Sequence, residues 1–169
     1  MERIRLIPKN NFEDWQLEKA ESLLKTFNNE EQNLIDVLHF FQRTFGYIDN
    51  KVIPLLAKFF NLSRAEIHGV ISFYHDFRQA KPASYILKIC QAESCQAMGS
   101  RKLTTELKEA LNIDFYEMNS ESKITLEPVY CLGNCSCSPN LTINSQMFSR
   151  VTSESLIQIL QELKNTDHD

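Results

Sequence analysis

Tyr85-Ile86-Leu87-Lys88-Ile89-Cys90-Gln91-Ala92-Glu93-Ser94-Cys95 is where the chain changes period. Tyr85, Leu87 and Ile89 alternate with Ile86, Lys88 and Cys90, the two-residue repeat of a strand that ends at the first cysteine. Beyond it the pattern mixes strands with helices. Residues 101–111 make a helix with Leu103, Leu107, Ala110 and Leu111 on its buried side. Strands are expected at 115–118, 123–130, 141–143 and, after a Ser145-Gln146 turn, 147–151. Thr152 or Ser153 caps a last helix in which Leu156, Ile159, Leu160 and Leu163 share a face. The second half therefore reads as a small sheet covered by helices.

Before this stretch the spacing is helical. Amphipathic helices are expected over 12–27 and 30–45, the second placing Leu34, Leu38, Phe41 and Phe45 on one stripe and ending at Gly46. A third helix starts close to Pro54, because a proline in the interior would forfeit a hydrogen bond, and runs to about Phe60. Ser63 and Glu66 form an S-x-x-E capping box that opens a fourth helix through Ile67 and Val70. Residues 79–84 (QAKPAS) are the linker expected between a helical domain, 1–80, which has no cysteine and is expected to supply docking surface, and a sheet domain, 83–169.

The 169 residues suffice for one domain or two small ones, and 43% apolar with 24% charged residues is ordinary globular composition. The first 81 residues are balanced in charge, so the net charge of −4 falls wholly in the second half. Such a chain has no bulk attraction for nucleic acid or an anionic membrane surface. No apolar run reaches the roughly 18 residues of a membrane span. No signal peptide is expected either, since Leu6-Ile7-Pro8 is followed at once by Lys9. The compartment expected is the reducing cytoplasm, where clustered cysteines read first as metal ligands or redox groups.

All five cysteines lie between Cys90 and Cys137. Cys90-x4-Cys95 and Cys131-x3-Cys135 each follow an expected strand, so two loops at one end of a sheet can converge on one centre. A [2Fe–2S] cluster takes four thiolates, two on each iron. A four-cysteine zinc site is chemically similar, although its pairs are usually spaced by two to four residues and most often two; disulfide exchange and inert buried thiols also remain open. Gly133 sits where the backbone must turn tightly, and residues 131–139 (CLGNCSCSP) carry no charge, leaving backbone N–H groups to meet the sulfurs. Cys137 reads as a spare thiol. His39, His68 and His75 fall in the helical half and His168 near the chain end, and Phe73-Tyr74 with Phe77 reads as packing in the core or against a partner. No constellation for nucleophilic or acid–base catalysis stands out.

Residues 41–48 (FQRTFGYI) and 68–74 (HGVISFY), together with the two cysteine pairs, resemble the thioredoxin-like [2Fe–2S] subunits from about residue 30 to the last helix. That family includes the small iron–sulfur subunit of complex I, hydrogenase diaphorase subunits and the gamma subunit of NAD-dependent formate dehydrogenase. His75-Asp76-Phe77-Arg78, Gln91 to Gln96 and CLGNCSCSP look most like the last of these. The resemblance implies an α+β protein, a helical N-terminal bundle followed by a thioredoxin-like α/β domain. It also implies one [2Fe–2S] cluster on Cys90, Cys95, Cys131 and Cys135. A flavin- and NAD-binding partner subunit and a molybdenum-containing, formate-oxidising subunit are implied as well. The chain departs from its relatives at Asn140-Leu141-Thr142, where they tend to be more apolar.

Overall fold

The computed structural model describes residues 7–27 and 33–166. The described residues divide into two compact units, one within 11–82 and a second formed by 83–166 with residues 7–10.

In the helical unit, α1 (Leu17–Leu24), α2 (Leu34–Phe45), α3 (Ile53–Phe60) and α4 (Arg64–Phe73) follow in order. The stripe of α2 is buried at Val37, Leu38, Phe41 and Phe45, joined by Ile48, Leu56, Ile67 and Ile71 in one core. Gly46 closes α2 at φ +85°, where its N–H meets Gln42 O at 2.8 Å. Pro54 lies in the first turn of α3, where its missing N–H costs nothing. Ser63 and Glu66 form the reciprocal capping box at the start of α4.

The expected helix over 12–27 is shorter. Residues 12–16 are not helical: Glu13 N–H bonds to Thr44 O at 2.9 Å, and Gln16 at the helix start supplies no side-chain cap. The expected start of the next helix, at residues 30–32, lies outside the described residues.

The sheet unit contains β1 (Tyr85–Cys90), α5 (Glu93–Ala97), α6 (Ser100–Leu111), β2 (Met118–Asn119), β3 (Ile124–Val129), β4 (Asn140–Ile143), β5 (Gln146–Ser149) and α7 (Ser153–Thr166). The strand order is β2-β3-β1-β4-β5. β1 and β3 are parallel, with Tyr85 opposite Ile124 and Cys90 opposite Val129, and the other neighbours are antiparallel. A parallel pair cannot be joined by a tight turn, and α6 lies in the crossover. Tyr85, Leu87 and Ile89 pack with Leu103, Leu107 and Leu111 of α6 and Leu156, Ile159, Leu160 and Leu163 of α7. Ile7 belongs to this core, so the start of the chain, expected with the helices, serves the sheet.

Two strands differ from expectation. Residues 115–117 are not regular strand: Tyr116, at φ +66°, donates its N–H to Leu126 O at 2.7 Å, and Glu117 O accepts from Leu126 N at 3.2 Å, so two residues oppose one of β3 and the ladder is regular only at Met118–Asn119. The β4–β5 turn falls at Asn144 and Ser145, where Asn144 takes φ +53°. Helix α5 has no counterpart in the sequence reading, because five residues are too few to show a period.

Candidate metal centre

The two expected thiol pairs leave the sheet at one end. Cys90 is the last residue of β1 and Val129, opposite it, the last of β3; Gln91 N donates to Val129 O at 2.7 Å and holds the two exits together. Parallel neighbours put both carboxyl ends on the same side, and antiparallel β4 begins there, at Asn140. Three segments separated in sequence thus meet.

Within this end the thiols form two pairs. Cys90 and Cys95 are buried, at 2% and 1% exposure, and each alters the other's ionisation. Cys131 and Cys135 are exposed, with their sulfurs 3.8 Å apart. Gly133, at φ +75°, turns the loop so that its N–H donates to Cys131 Sγ at 3.3 Å. Among the described residues no three His, Cys, Asp or Glu side chains stand as a single metal-holding group.

The pairs are linked across the loops. The backbone N–H groups of Ala92 and Leu132 both reach Cys90 Sγ, the second from the opposite loop. Ser138 Oγ lies 3.4 Å from Cys95 Sγ, 3.0 Å from Ser94 Oγ and 2.8 Å from Cys135 O. Asn140 Nδ2 lies 3.7 Å from Cys95 Sγ and donates to Asn134 O at 2.7 Å. Ser138 and Asn140 were not singled out as site residues in the sequence, since they meet Cys95 from 43 and 45 positions away.

The environments differ in their effect on the thiols. Burial pushes the Cys90 thiol up, against the two backbone donors. Burial opposes ionisation of Cys95 as well, yet hydrogen bonds from Ser138, Cys90 and Asn140 outweigh it and hold this thiol below its ordinary value. The hydrogen bond and negative charge of Cys131 push Cys135 up.

A [2Fe–2S] cluster asks for two thiolates on each of two irons. Two pairs carried on two converging loops, supplied with N–H donors aimed at sulfur, suit that donor set. Cys137 is half-buried, its Sγ met by Ser136 Oγ at 3.9 Å, and its backbone is tied to Asn134 O and Arg150 N. His39, His68 and His75 are exposed in the helical unit, and His168 lies outside the described residues.

The comparisons with known proteins identify the family. The family model described as thioredoxin-like [2Fe–2S] ferredoxin matches residues 20–164. An NADH-quinone oxidoreductase subunit from Buchnera aphidicola subsp. Baizongia pistaciae (strain Bp) is 33% identical over 140 residues, 83% of this chain and 82% of that protein. The NADP-reducing hydrogenase subunit HndA of Solidesulfovibrio fructosivorans is 27% identical, covering 82% and 81%. Among solved structures, an NAD+-reducing [NiFe]-hydrogenase in the air-oxidized state matches in fold with a TM-score of 0.65 at 22% identity. It covers 78% of this chain, which spans only 23% of the hydrogenase chain. None of the described helices is long and apolar enough to cross a membrane. With nearly its whole length matched and both thiol pairs at one end of the sheet, the chain belongs to the thioredoxin-like [2Fe–2S] ferredoxin family, whose cofactor is a [2Fe–2S] cluster.

Proposed function

We propose that this chain is the one-electron relay of an NAD-dependent formate dehydrogenase, with its cluster held by Cys90, Cys95, Cys131 and Cys135 and a flavin- and NAD-binding subunit as its electron partner. The observation that carries the ligand assignment is the convergence of a buried and an exposed thiol pair at the carboxyl ends of β1 and β3. The bound cluster supplies outer-sphere, one-electron chemistry. The protein's part is to fix the four sulfurs, donate hydrogen bonds to them and leave one side open. Cys90 and Cys95 anchor the centre in the sheet unit, and Cys131 and Cys135 present it at the surface, where a partner can approach.

The named relatives are subunits of NADH-quinone oxidoreductase and NADP-reducing hydrogenase, which supports a nicotinamide-linked complex. Residues 75–78, 91–96 and 131–139 favour the formate dehydrogenase member, with a molybdenum-containing subunit that oxidises formate. The corresponding subunit of complex I or of a hydrogenase is the second reading, and the named relatives favour it. A cytoplasmic location fits either. Affinity capture of the full chain from its native cell separates them. Recovery of a flavoprotein and a large molybdenum subunit, in an assembly coupling formate oxidation to NAD reduction, supports the first reading; recovery of quinone oxidoreductase subunits moves the assignment to complex I. The isolated chain is expected neither to oxidise formate nor to reduce NAD. A colourless protein with zinc and neither iron nor acid-labile sulfide would overturn both readings.

A further inference from the structure

Asn140 is an amide buried to 2% exposure in a position where every polar atom of its side chain has a partner. One Nδ2 proton goes to Asn134 O at 2.7 Å, inside the loop of the exposed thiol pair. The other points at Cys95 Sγ, 3.7 Å away, in the buried pair. Oδ1 accepts from Asn134 Nδ2 at 3.2 Å, and Asn134 Nδ2 is itself within 2.7 Å of Ser149 Oγ. The orientation of the amide is therefore set by its neighbours: a flip would bring Oδ1 against the Asn134 carbonyl and remove the only donor facing sulfur from this side chain. The backbone N–H of Asn140 also reaches Cys95.

We propose that Asn140 is a positioning residue of the cluster centre, its buried amide tying the Asn134 loop to Cys95 and directing a hydrogen bond at the Cys95 sulfur that favours the reduced cluster. The inference rests on Cys95 being a cluster ligand. The physical reason is that reduction adds one negative charge to the centre, and part of it resides on the ligand sulfurs. A donor fixed beforehand at low exposure stabilises that charge without reorganising solvent, and hydrogen bonds to sulfur are among the factors that set iron–sulfur potentials. Ser138, 3.4 Å from the same sulfur, shares its hydroxyl with Ser94 and Cys135 O, so the amide is the less divided donor.

The test is a redox titration of the full chain with its cluster, followed by the paramagnetic signal of the reduced state, on wild type, Asn140→Leu and Asn140→Asp. Leucine keeps the branching and the number of heavy atoms, with a somewhat larger volume, and removes the donor. The reduction equilibrium is expected to move about tenfold toward the oxidised form, about 59 mV for a one-electron couple, with iron and sulfide content unchanged. Aspartate replaces the donor by an acceptor and is expected to move it further in the same direction. A purely structural Asn140 would alter cluster content and leave the potential of the assembled fraction where it was; a wild-type potential in Asn140→Leu overturns the proposal. If the leucine variant does not assemble, Asn140→Asp decides, and a wild-type potential there overturns it as well. The ligand reading fails separately: Cys95→Ser would then leave the spectrum and signal of the wild-type cluster intact.

Discussion

Two of the four glycines make opposite predictions about the same substitution. Gly46 has φ +85°, and a Cβ there would stand 2.7 Å from Phe12 Cδ2. Gly46→Ala thus combines left-handed strain with a ring that must move, and it is expected to destabilise the helical unit by roughly 1–3 kcal/mol. Gly69 lies inside α4 with nothing within 4 Å of the added carbon. Gly69→Ala is expected to stabilise by about 0.5–1 kcal/mol through backbone entropy. Denaturant melts of the two variants check both signs, and equal midpoints would refute the argument. The thiols carry a third prediction: serine at Cys90, Cys95, Cys131 or Cys135 should abolish or strongly alter cluster absorption, while Cys137→Ser should leave it nearly intact. A normal spectrum for Cys135→Ser, with loss in Cys137→Ser, would exchange their roles. The thiol pairs were legible because their spacing is local. The amide of Asn140 was not, because it meets Cys95 across 45 positions and only the sheet brings the two together.

At the scale of elements, the capping box at Ser63 and Glu66 was readable from four residues and is present as read. Ser63→Ala is expected to cost about 1 kcal/mol of helix stability. The Glu66 carboxyl is held below the ordinary glutamate value by the backbone hydrogen bond from Ser63, then by the Ser63 hydroxyl. A lowered folded-state value means that this contribution is fully present above the ordinary glutamate value and is lost as pH falls through the lowered one. Melts between neutral and acidic pH should therefore show a shallower acid loss in Glu66→Gln than in wild type, and parallel curves would sink the assignment. Where elements differ from the sequence pattern, a side chain is engaged by something the sequence does not show. Asp14 sits before α1, where a cap would be useful, but its carboxylate is 2.7 Å from Lys81 Nζ, and the helix begins three residues later without a side-chain cap. Asp114 is engaged by its own chain, its Oδ1 accepting from Phe115 N, and residues 115–117 meet β3 only irregularly, through Tyr116 N and Glu117 O on Leu126. Local pattern reports propensity, and these competing hydrogen bonds override it.

At the scale of the whole molecule, the break near Pro82 was visible as a change of period, whereas the return of the chain start to the sheet unit was not. Ile7 is buried at 6% exposure, Pro8 O accepts from Asn144 Nδ2 at 2.7 Å, and Asn10 N donates to Ser84 O at 2.9 Å. A single apolar residue beside a proline has no period to announce such a role. The same facts decide how the docking role expected of the helical unit can be tested. Deleting residues 1–80 would strip Ile7 from the sheet core, so lost association could reflect damage to the cluster unit. A point substitution avoids this. Of the aromatic residues after Ile71, Phe77 is in the helical core at 5% exposure, while Phe73 is 72% exposed with its ring 5.1 Å from that of Tyr74. A bare phenylalanine contributes little to the fold and, desolvated by a partner, becomes an anchor of the kind that dominates protein interfaces. Phe73→Ala is therefore expected to change the melting of the isolated chain by no more than about 0.5 kcal/mol. Its affinity for the proposed flavin-binding subunit should fall about tenfold or more, ~1.4 kcal/mol, with the cluster spectrum unaltered. Titration of the two subunits by calorimetry measures this, and unchanged affinity would remove Phe73 from the interface.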